Sequence, residues 1–265
     1  MKKHTVSTLL NMKNKEKITS MTAYDYTSAK ILDSVGIDML LVGDSLGMVM
    51  QGQSDTLPVT VDEMIYHTKM VKRGISQAFL VVDLPFGSCD TVDDGVRNAV
   101  RIIKETGADA VKLESADEVI LEIVRKLRLR GVNSIGHIGL QPQYVNTMGG
   151  YKINKYSDVE RIKAEAIALE KAGAMMVVLE GMVSECAAEV TKAVSIPTIG
   201  IGAGVECDGQ VLVFHDAFGL YSDMLPKFVK RYANLKEIVA AAATEYINEV
   251  KASTFPNDDY SYKSK

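Results

Sequence analysis

The sequence predicts one (β/α)8 barrel domain spanning residues 1–265, and three observations carry that expectation. Short apolar runs without a polar break begin near residues 18, 39, 79, 110, 134, 175, 196 and 211, and helical patterns separate most of them. Runs of this kind, bounded by turn residues, are strands buried on both faces, as in parallel sheets. No linker, composition break, internal repeat or low-complexity segment interrupts the alternation, which favours one closed barrel over a doubly wound sheet. An open Rossmann-like sheet would also want a GxGxxG turn after its first strand, and Met21-Thr22-Ala23-Tyr24-Asp25 is not one.

Thr5-Val6-Ser7-Thr8-Leu9-Leu10, continuing to Lys15, reads as a short amphipathic helix before the first strand. Ile18 to Asp25 is the first strand, and Thr27 to Ser34 a helix stopping near Gly36. The second strand, Met39-Leu40-Leu41-Val42, runs into Gly43-Asp44-Ser45-Leu46-Gly47. Gly47 to Pro58 is a polar loop, long enough to act as a cover rather than a tight connection. Thr60 caps a helix to about Arg73, with Asp62 and Glu63 in the first turn, where the helix dipole favours acids. The strand ending at Asp83, a helix over about 92–105 and the strand Ala110–Glu114 follow. The helix Ala116–Arg130 carries basic residues in its last turns, and Ser134–Leu140 is the fifth strand.

Gln141 to Tyr156 is a long loop containing Gly149-Gly150, followed by a helix over about 158–172 that stops at Gly173. The sixth strand, Met175–Leu179, ends at Glu180; a helix over about 184–194 leads to the seventh, Ile196–Ile201, and to Gly202-Ala203-Gly204. Val211–Phe214 is the eighth strand, reached by a gap too short for a full helix. From Asn234 the chain is a long Ala-rich helix, and Pro256 to Lys265 reads as a frayed polar tail.

Composition narrows the function classes. Apolar residues make up 47% of the chain, enough for a sizeable core. A net charge of −4 with no basic run argues against a nucleic-acid or membrane-surface partner. Cys89, Cys186 and Cys207 are far apart and form no CxxC pair, so a reduced, cytoplasmic setting is expected. Met1-Lys2-Lys3-His4 leads into no apolar secretion signal, and no window approaches the roughly 18 apolar residues of a membrane helix.

Asp44, Asp83 and Glu114 each sit at or just past the end of an apolar run, where a barrel gathers its catalytic groups. Carboxylates at successive strand ends suit a hard divalent cation such as Mg²⁺, which keeps waters and takes further oxygens from its substrate. The plainer alternative is that each acid caps the helix that follows. Lys112 lies two residues before Glu114, so both point to the same side of their strand; it either pairs with the acids or holds an anionic substrate. His137, in a Gly-flanked apolar strand, is a core histidine or a group facing the lumen.

Glu180 follows Val177-Val178-Leu179, and desolvation in an apolar mouth would raise its pKa, as suits a general base, unless it too is only a cap. Gly200-Ile201-Gly202-Ala203-Gly204 stands where barrels often bind phosphate, although glycines also simply permit tight turning. His4 and His67 read as surface or helix residues and His215 as a strand-end cap. No GxSxG nucleophile motif and no Cys/His metal spacing is present.

Taken in order, Thr22-Ala23-Tyr24-Asp25, Val42-Gly43-Asp44-Ser45-Leu46-Gly47-Met48, Thr56-Leu57-Pro58-Val59-Thr60, Asp83-Leu84-Pro85-Phe86, Val111-Lys112-Leu113-Glu114, Gly136-His137-Ile138-Gly139-Leu140, Gly149-Gly150-Tyr151-Lys152 and Gly200-Ile201-Gly202-Ala203-Gly204 resemble the ketopantoate hydroxymethyltransferase family over about residues 18–230. The resemblance implies a barrel of the phosphoenolpyruvate/pyruvate superfamily, assembled as a homodecamer of two stacked pentamers. It implies transfer of a one-carbon unit from 5,10-methylenetetrahydrofolate to 3-methyl-2-oxobutanoate in pantothenate synthesis. By motif match Asp44, Asp83 and Glu114 correspond to the Mg²⁺ site, some acting through water. Ser45 and Lys112 would hold the keto acid, His137 would sit beside it, and Glu180 would be the base. Ser115 departs from the pattern, since the family often has Gly there.

The chemistry of the residues agrees with this. A keto acid chelating Mg²⁺ would lose its C3 proton to Glu180, giving a Mg-stabilised enolate to attack the folate-derived one-carbon unit, while Lys112 offsets the substrate's charge. The loops Gly47–Pro58 and Gln141–Tyr156 are candidates for covers that exclude water. Two rivals stand beside this reading. An isocitrate-lyase-like carbon–carbon lyase should show a catalytic Cys in a charged loop, and none of the three cysteines has basic neighbours of that kind. A non-catalytic keto-acid-binding barrel would bind the substrate without turnover.

Overall fold

Eight parallel strands close into a barrel in sequence order: β1 (Ile18–Thr22), β2 (Met39–Val42), β3 (Phe79–Asp83), β4 (Ala110–Glu114), β5 (Ser134–Gly139), β6 (Met176–Glu180), β7 (Thr198–Ile201) and β8 (Gly209–Leu212), with β8 pairing back onto β1. The computed structural model describes residues 3–150, 153–220 and 226–264. The expected motif residues Tyr151 and Lys152 therefore lie outside the described residues, as do Met1, Lys2 and Lys265.

Alternation along each strand divides the barrel into an apolar floor and a polar top. Ile18, Met39, Leu41, Phe79, Val81, Ala110, Ile135, Met176, Val178, Ile199 and Val211 form one buried cluster. Residues two apart on a strand share a side. Asp83 therefore stands above Val81, Lys112 and Glu114 above Ala110, His137 above Ile135, and Glu180 above Val178. Val82, Val111, Leu113, Val177 and Leu179 face the helices and are also buried, as expected for strands covered on both sides. The short helix α1 (Val6–Leu10) closes the lower end: Leu9 joins the inner cluster, and Val6 and Met12 pack against it.

Helices follow the strands with ordinary end signals. α2 (Tyr26–Ser34) is capped by Asp25, which accepts from the backbone N–H of Thr27 and Ser28. The first strand thus ends at Thr22, earlier than expected, because Asp25 serves the helix. The loop after β2 is not wholly irregular; α3 (Leu46–Val49) occupies its start. α4 (Val61–Gly74) has the expected Thr60 cap, completed as a capping box by Glu63. α5 (Val92–Thr106) ends at Gly107 and α6 (Glu118–Leu129) starts from Asp117. Beyond β5 come a 3₁₀ turn at Pro142–Tyr144 and the one-turn α7 (Val145–Met148), so this loop also carries structure. α8 (Val159–Ala172) and α9 (Ser184–Ala193) flank β6. No helix stands between β7 and β8, in keeping with the short gap; β7 starts at Thr198, after Pro197, and β8 starts two residues earlier than expected.

The chain divides into two compact units, residues 1–214 and 215–265. The first holds the barrel. The second contains most of α10 (Phe214–Ala217), where His215 lies in a helix rather than capping a strand, and α11 (Leu235–Lys251). The tail expected to fray is folded within its own unit: Phe255 packs against Tyr246 and Tyr260, their ring centroids 5.8 and 5.6 Å away, and Asp258–Tyr260 forms a 3₁₀ turn. No helix among the described residues is long and apolar enough to cross a membrane.

Candidate active site

The top of the barrel lumen holds a buried ionic cluster. Asp44, Asp83, Lys112, Glu114 and His137 are each no more than 6% exposed. Their charges lie inside the lumen rather than on the rim, because the strands point them inward and the loops cover them. Asp44 sits just past β2, where no ladder fixes it; its backbone N–H donates to Asp83 Oδ2 at 3.1 Å. Lys112 Nζ is 3.2 Å from Asp83 Oδ1, and His137 Nδ1 is 3.2 Å from Glu114 Oε1. None of these acids caps a helix; the capping role falls to Asp25, Asp117 and Thr60 instead.

His137 joins the two halves of the cluster. Lys112 Nζ lies 3.2 Å from the same Nδ1 that faces Glu114, so Nδ1 either accepts from the ammonium or, in the imidazolium, donates to the carboxylate. Nε2 is 3.1 Å from Glu180 Oε2 but is not aligned for a good hydrogen bond, so the contact is chiefly one of charge. Glu180, its side chain 17% exposed, is the most open member and meets a histidine rather than an apolar wall.

The electrostatics follow from crowding. Burial, together with the charges of Asp83 and Glu114, raises the Asp44 carboxyl well above the carboxylate range. Asp83 is raised by burial despite Lys112. Burial pushes Glu114 the same way, but His137 and Lys112 outweigh it and hold it below its ordinary value. Lys112 is held firmly charged: burial opposes it, and Asp83, Glu114 and Asp44 win. His137 is pushed up to about 9, since Glu114 and Glu180 overcome both burial and Lys112.

Four acids thus face two basic side chains, and the surplus negative charge is what a divalent cation would offset. The donor set is entirely carboxylate oxygen, and buried Asp83 Oδ1 faces the Lys112 ammonium without an aligned hydrogen bond, so the residues fit a hard cation. Among the described residues, no group of three or more His, Cys, Asp or Glu side chains is arranged so that it could hold a metal ion by itself. A Mg²⁺ ion here would take one or two of these carboxylates and fill the rest of its shell with water and substrate oxygen.

Two residues at the site were not singled out from sequence. Gln143 reaches from the loop after β5 into the cluster, donating its side-chain N–H to Asp44 Oδ2 at 2.8 Å and to the Leu84 carbonyl at 3.0 Å. Tyr24, inside a recognised motif but unassigned, places its hydroxyl 2.8 Å from Ser45 Oγ. The Gly-rich segment after β7 has a packing role: a Cβ on Gly204 would meet Ser184 at 2.5 Å, with φ at +83°. His67 is not a free surface group, since its Nδ1 lies 2.7 Å from the Tyr24 carbonyl. Ser115 adopts φ +92°, a region that favours glycine. A cleft of about 250 Å³ is lined by Ser115, Asp117 and Gln141, in the loops that follow β4 and β5, by Arg161 of α8, and by none of the cluster. Another, of about 400 Å³, lies at the opposite end between Lys15, Lys192 and Glu206 and contains none of the cluster.

Comparison with known proteins follows the same lines. The family model described as ketopantoate hydroxymethyltransferase matches residues 3–258. A 3-methyl-2-oxobutanoate hydroxymethyltransferase of Syntrophus aciditrophicus is 50% identical over 265 residues, covering 98% of this chain and 97% of the relative. One from Clostridium botulinum is also 50% identical, with 98% and 96% covered. Among solved structures, a 2,3-dimethylmalate lyase of the PEP mutase/isocitrate lyase superfamily superposes with TM-score 0.62 at 17% identity, covering 97% of this chain and 91% of that one. A phosphoenolpyruvate phosphomutase from Streptomyces platensis does so with TM-score 0.64 at 12% identity, covering 98% and 92%. These distant likenesses show the fold.

Proposed function

The chain belongs to the ketopantoate hydroxymethyltransferase family, and on that premise we propose that it moves a hydroxymethyl group from 5,10-methylenetetrahydrofolate to 3-methyl-2-oxobutanoate, giving 2-dehydropantoate for pantothenate synthesis. The observation that carries this reading is the placement of Glu180, partly open, above a buried cluster with surplus negative charge. Asp44 and Asp83 would hold Mg²⁺, with Glu114 behind them, directly or through water. When bound, the cation supplies Lewis-acid stabilisation for the negative charge that develops on the keto acid.

The remaining work falls to the chain's own residues. Lys112, held charged among the acids, receives the substrate carboxylate, and Ser45 Oγ offers a further hydrogen bond at the same mouth. Glu180 takes the C3 proton; His137, 3.1 Å from its Oε2, positions that carboxylate and stabilises its charge. The substrate's C3 then bonds the folate's methylene carbon as both of that carbon's bonds to nitrogen break; one water supplies the hydroxyl oxygen, and the C3 proton and the water's second proton end on the two nitrogens of the departing tetrahydrofolate. The loop after β5 covers the reacting groups through Gln143 and limits water near the carbanion.

A carbon–carbon lyase reading gains nothing from the cysteines. Burial pushes the Cys89 thiol up to about 11 and raises Cys186 and Cys207 as well, so none is poised as a thiolate. We also propose a cytoplasmic homodecamer in which residues 1–265 act as one functional domain. Exposed Ile238, Val239, Tyr246 and Ile247 on α11 offer apolar surface for assembly, and sedimentation of the purified chain should give a mass of ten copies; a monomer would refute this. Glu180→Gln tests the base directly. Metal and keto-acid affinities should hold within about threefold while kcat falls roughly a hundred- to ten-thousand-fold. A near-normal rate would remove Glu180 from the role.

A further inference from the structure

Gln143 touches three consecutive strand ends at once. Its side-chain amide donates to Asp44 Oδ2 past β2 and to the Leu84 carbonyl past β3, and its backbone N–H donates to Glu114 Oε2 at the end of β4, at 3.1 Å. It does so from the 3₁₀ turn Pro142–Tyr144, where the proline fixes the backbone at the first position. We propose that Gln143 is a positioning residue for the carboxylate centre, orienting Asp44 and Glu114 toward a divalent cation and thereby coupling metal occupancy to the order of segment 142–148. This rests on the metal assignment made above.

A carboxylate is planar. Pinning one oxygen fixes the direction of the other, so a bond to Asp44 Oδ2 sets where Oδ1 points. Asp44 needs such a partner, because it lies beyond the ladder of β2 and its other hydrogen bonds, from its N–H to Asp83 and to its carbonyl from the Gly47 N–H, hold its backbone and leave its carboxylate free to turn. Glu114 is held from both sides, by His137 at Oε1 and by Gln143 at Oε2. The choice of an amide matters. Lysine or arginine at this position would neutralise the acids and compete with a cation, whereas a neutral donor orients them and leaves their charge available. Both amide hydrogens are used, on Asp44 and Leu84, so the side chain has a single well-defined pose. Partners that orient metal ligands in this way typically contribute about 10- to 100-fold in metal affinity. The same three bonds join the segment to the carboxylates, beside a Tyr144–Ser115 side-chain contact, so filling the metal site and ordering 142–148 stabilise one another.

The test uses the full chain and two readouts other than turnover. Mn²⁺ affinity is measured from the free-ion electron paramagnetic resonance signal for the wild type, Gln143→Met and Gln143→Ala. Backbone hydrogen exchange over 142–148 is followed with and without Mg²⁺. Circular dichroism confirms that each variant is folded, and the two substitutions provide independent copies of the test. The wild type should bind Mn²⁺, both variants should bind about tenfold or more weakly, and Mg²⁺ should slow exchange in the segment only in the wild type. Variants that bind as tightly as the wild type, or more tightly, would overturn the role of Gln143 while leaving the metal assignment intact. So would a wild-type segment indifferent to metal. A wild type that binds no Mn²⁺ would overturn the metal assignment itself, and this inference with it.

Discussion

Lys112 is the residue on which substrate and metal make opposite demands. Its ammonium lies 3.2 Å from Asp83 and so competes with a cation for that carboxylate, yet it is the buried positive charge best placed for an anionic substrate. Lys112→Met should therefore move the two affinities in opposite directions. Metal binding should stay the same or tighten, while the keto-acid KM should rise about 10- to 100-fold, the worth of one charge-assisted hydrogen bond. Parallel losses of both, measured by titration and steady-state kinetics, would make Lys112 a structural counter-ion only. At this scale much of the site was legible in the sequence. Asp83, Lys112, Glu114, His137 and Glu180 obey the twofold period of strands, so locating the strands located them. Their depth was not legible: Asp83 and Glu114 were expected at strand ends and lie buried in the lumen, because period says which side a residue faces and not how the loops above close. Gln143 escaped notice for a related reason. It sits in a loop, where no period marks a functional side chain, and only the fold brings it to residues 99 and 29 positions away.

Elements are joined to one another by a few buried polar side chains, and Asp33 shows how much one can carry. At the end of α2 it accepts from the backbone N–H groups of Ser76, Gln77 and Ala78 and from the Ser76 hydroxyl, fixing the entry to β3. Burial pushes its carboxyl up, but these donors together hold it below its ordinary value. A carboxylate depressed in the folded state adds stability above its unfolded pKa, and that contribution is lost as pH falls through the folded one. Asp33→Asn should cost about 2–3 kcal/mol near neutrality, with the gap to the wild type closing below about pH 4. A pH-independent difference in thermal unfolding would contradict this. Sequence placed the barrel strands and most of the helices correctly and misjudged their ends where local chemistry competes. Asp25 left the strand to cap α2, Pro197 delayed β7, and the tail after Pro256 was tied down by Phe255 between two tyrosines, an aromatic contact that polarity alone does not reveal.

Across the molecule, the barrel separates stability from chemistry along its axis. The lower lumen is sealed by apolar side chains and by Leu9 of α1, while the upper lumen concentrates charge that is unfavourable without a cation or substrate. That arrangement was readable from the recurrence of apolar runs ending in acids. The absence of a helix between β7 and β8 was readable too, from the short gap between them. The central claim is that this charged upper lumen removes a proton from C3 of the keto acid with Glu180 as base. The most direct test is solvent exchange at C3 of 3-methyl-2-oxobutanoate in D₂O, followed by NMR with Mg²⁺ present, with and without tetrahydrofolate. Deuterium should enter at C3 with the wild type, and exchange should vanish on chelation, in Asp83→Ala and in Glu180→Gln. No exchange with metal and tetrahydrofolate both present, or undiminished exchange in Glu180→Gln, would contradict it.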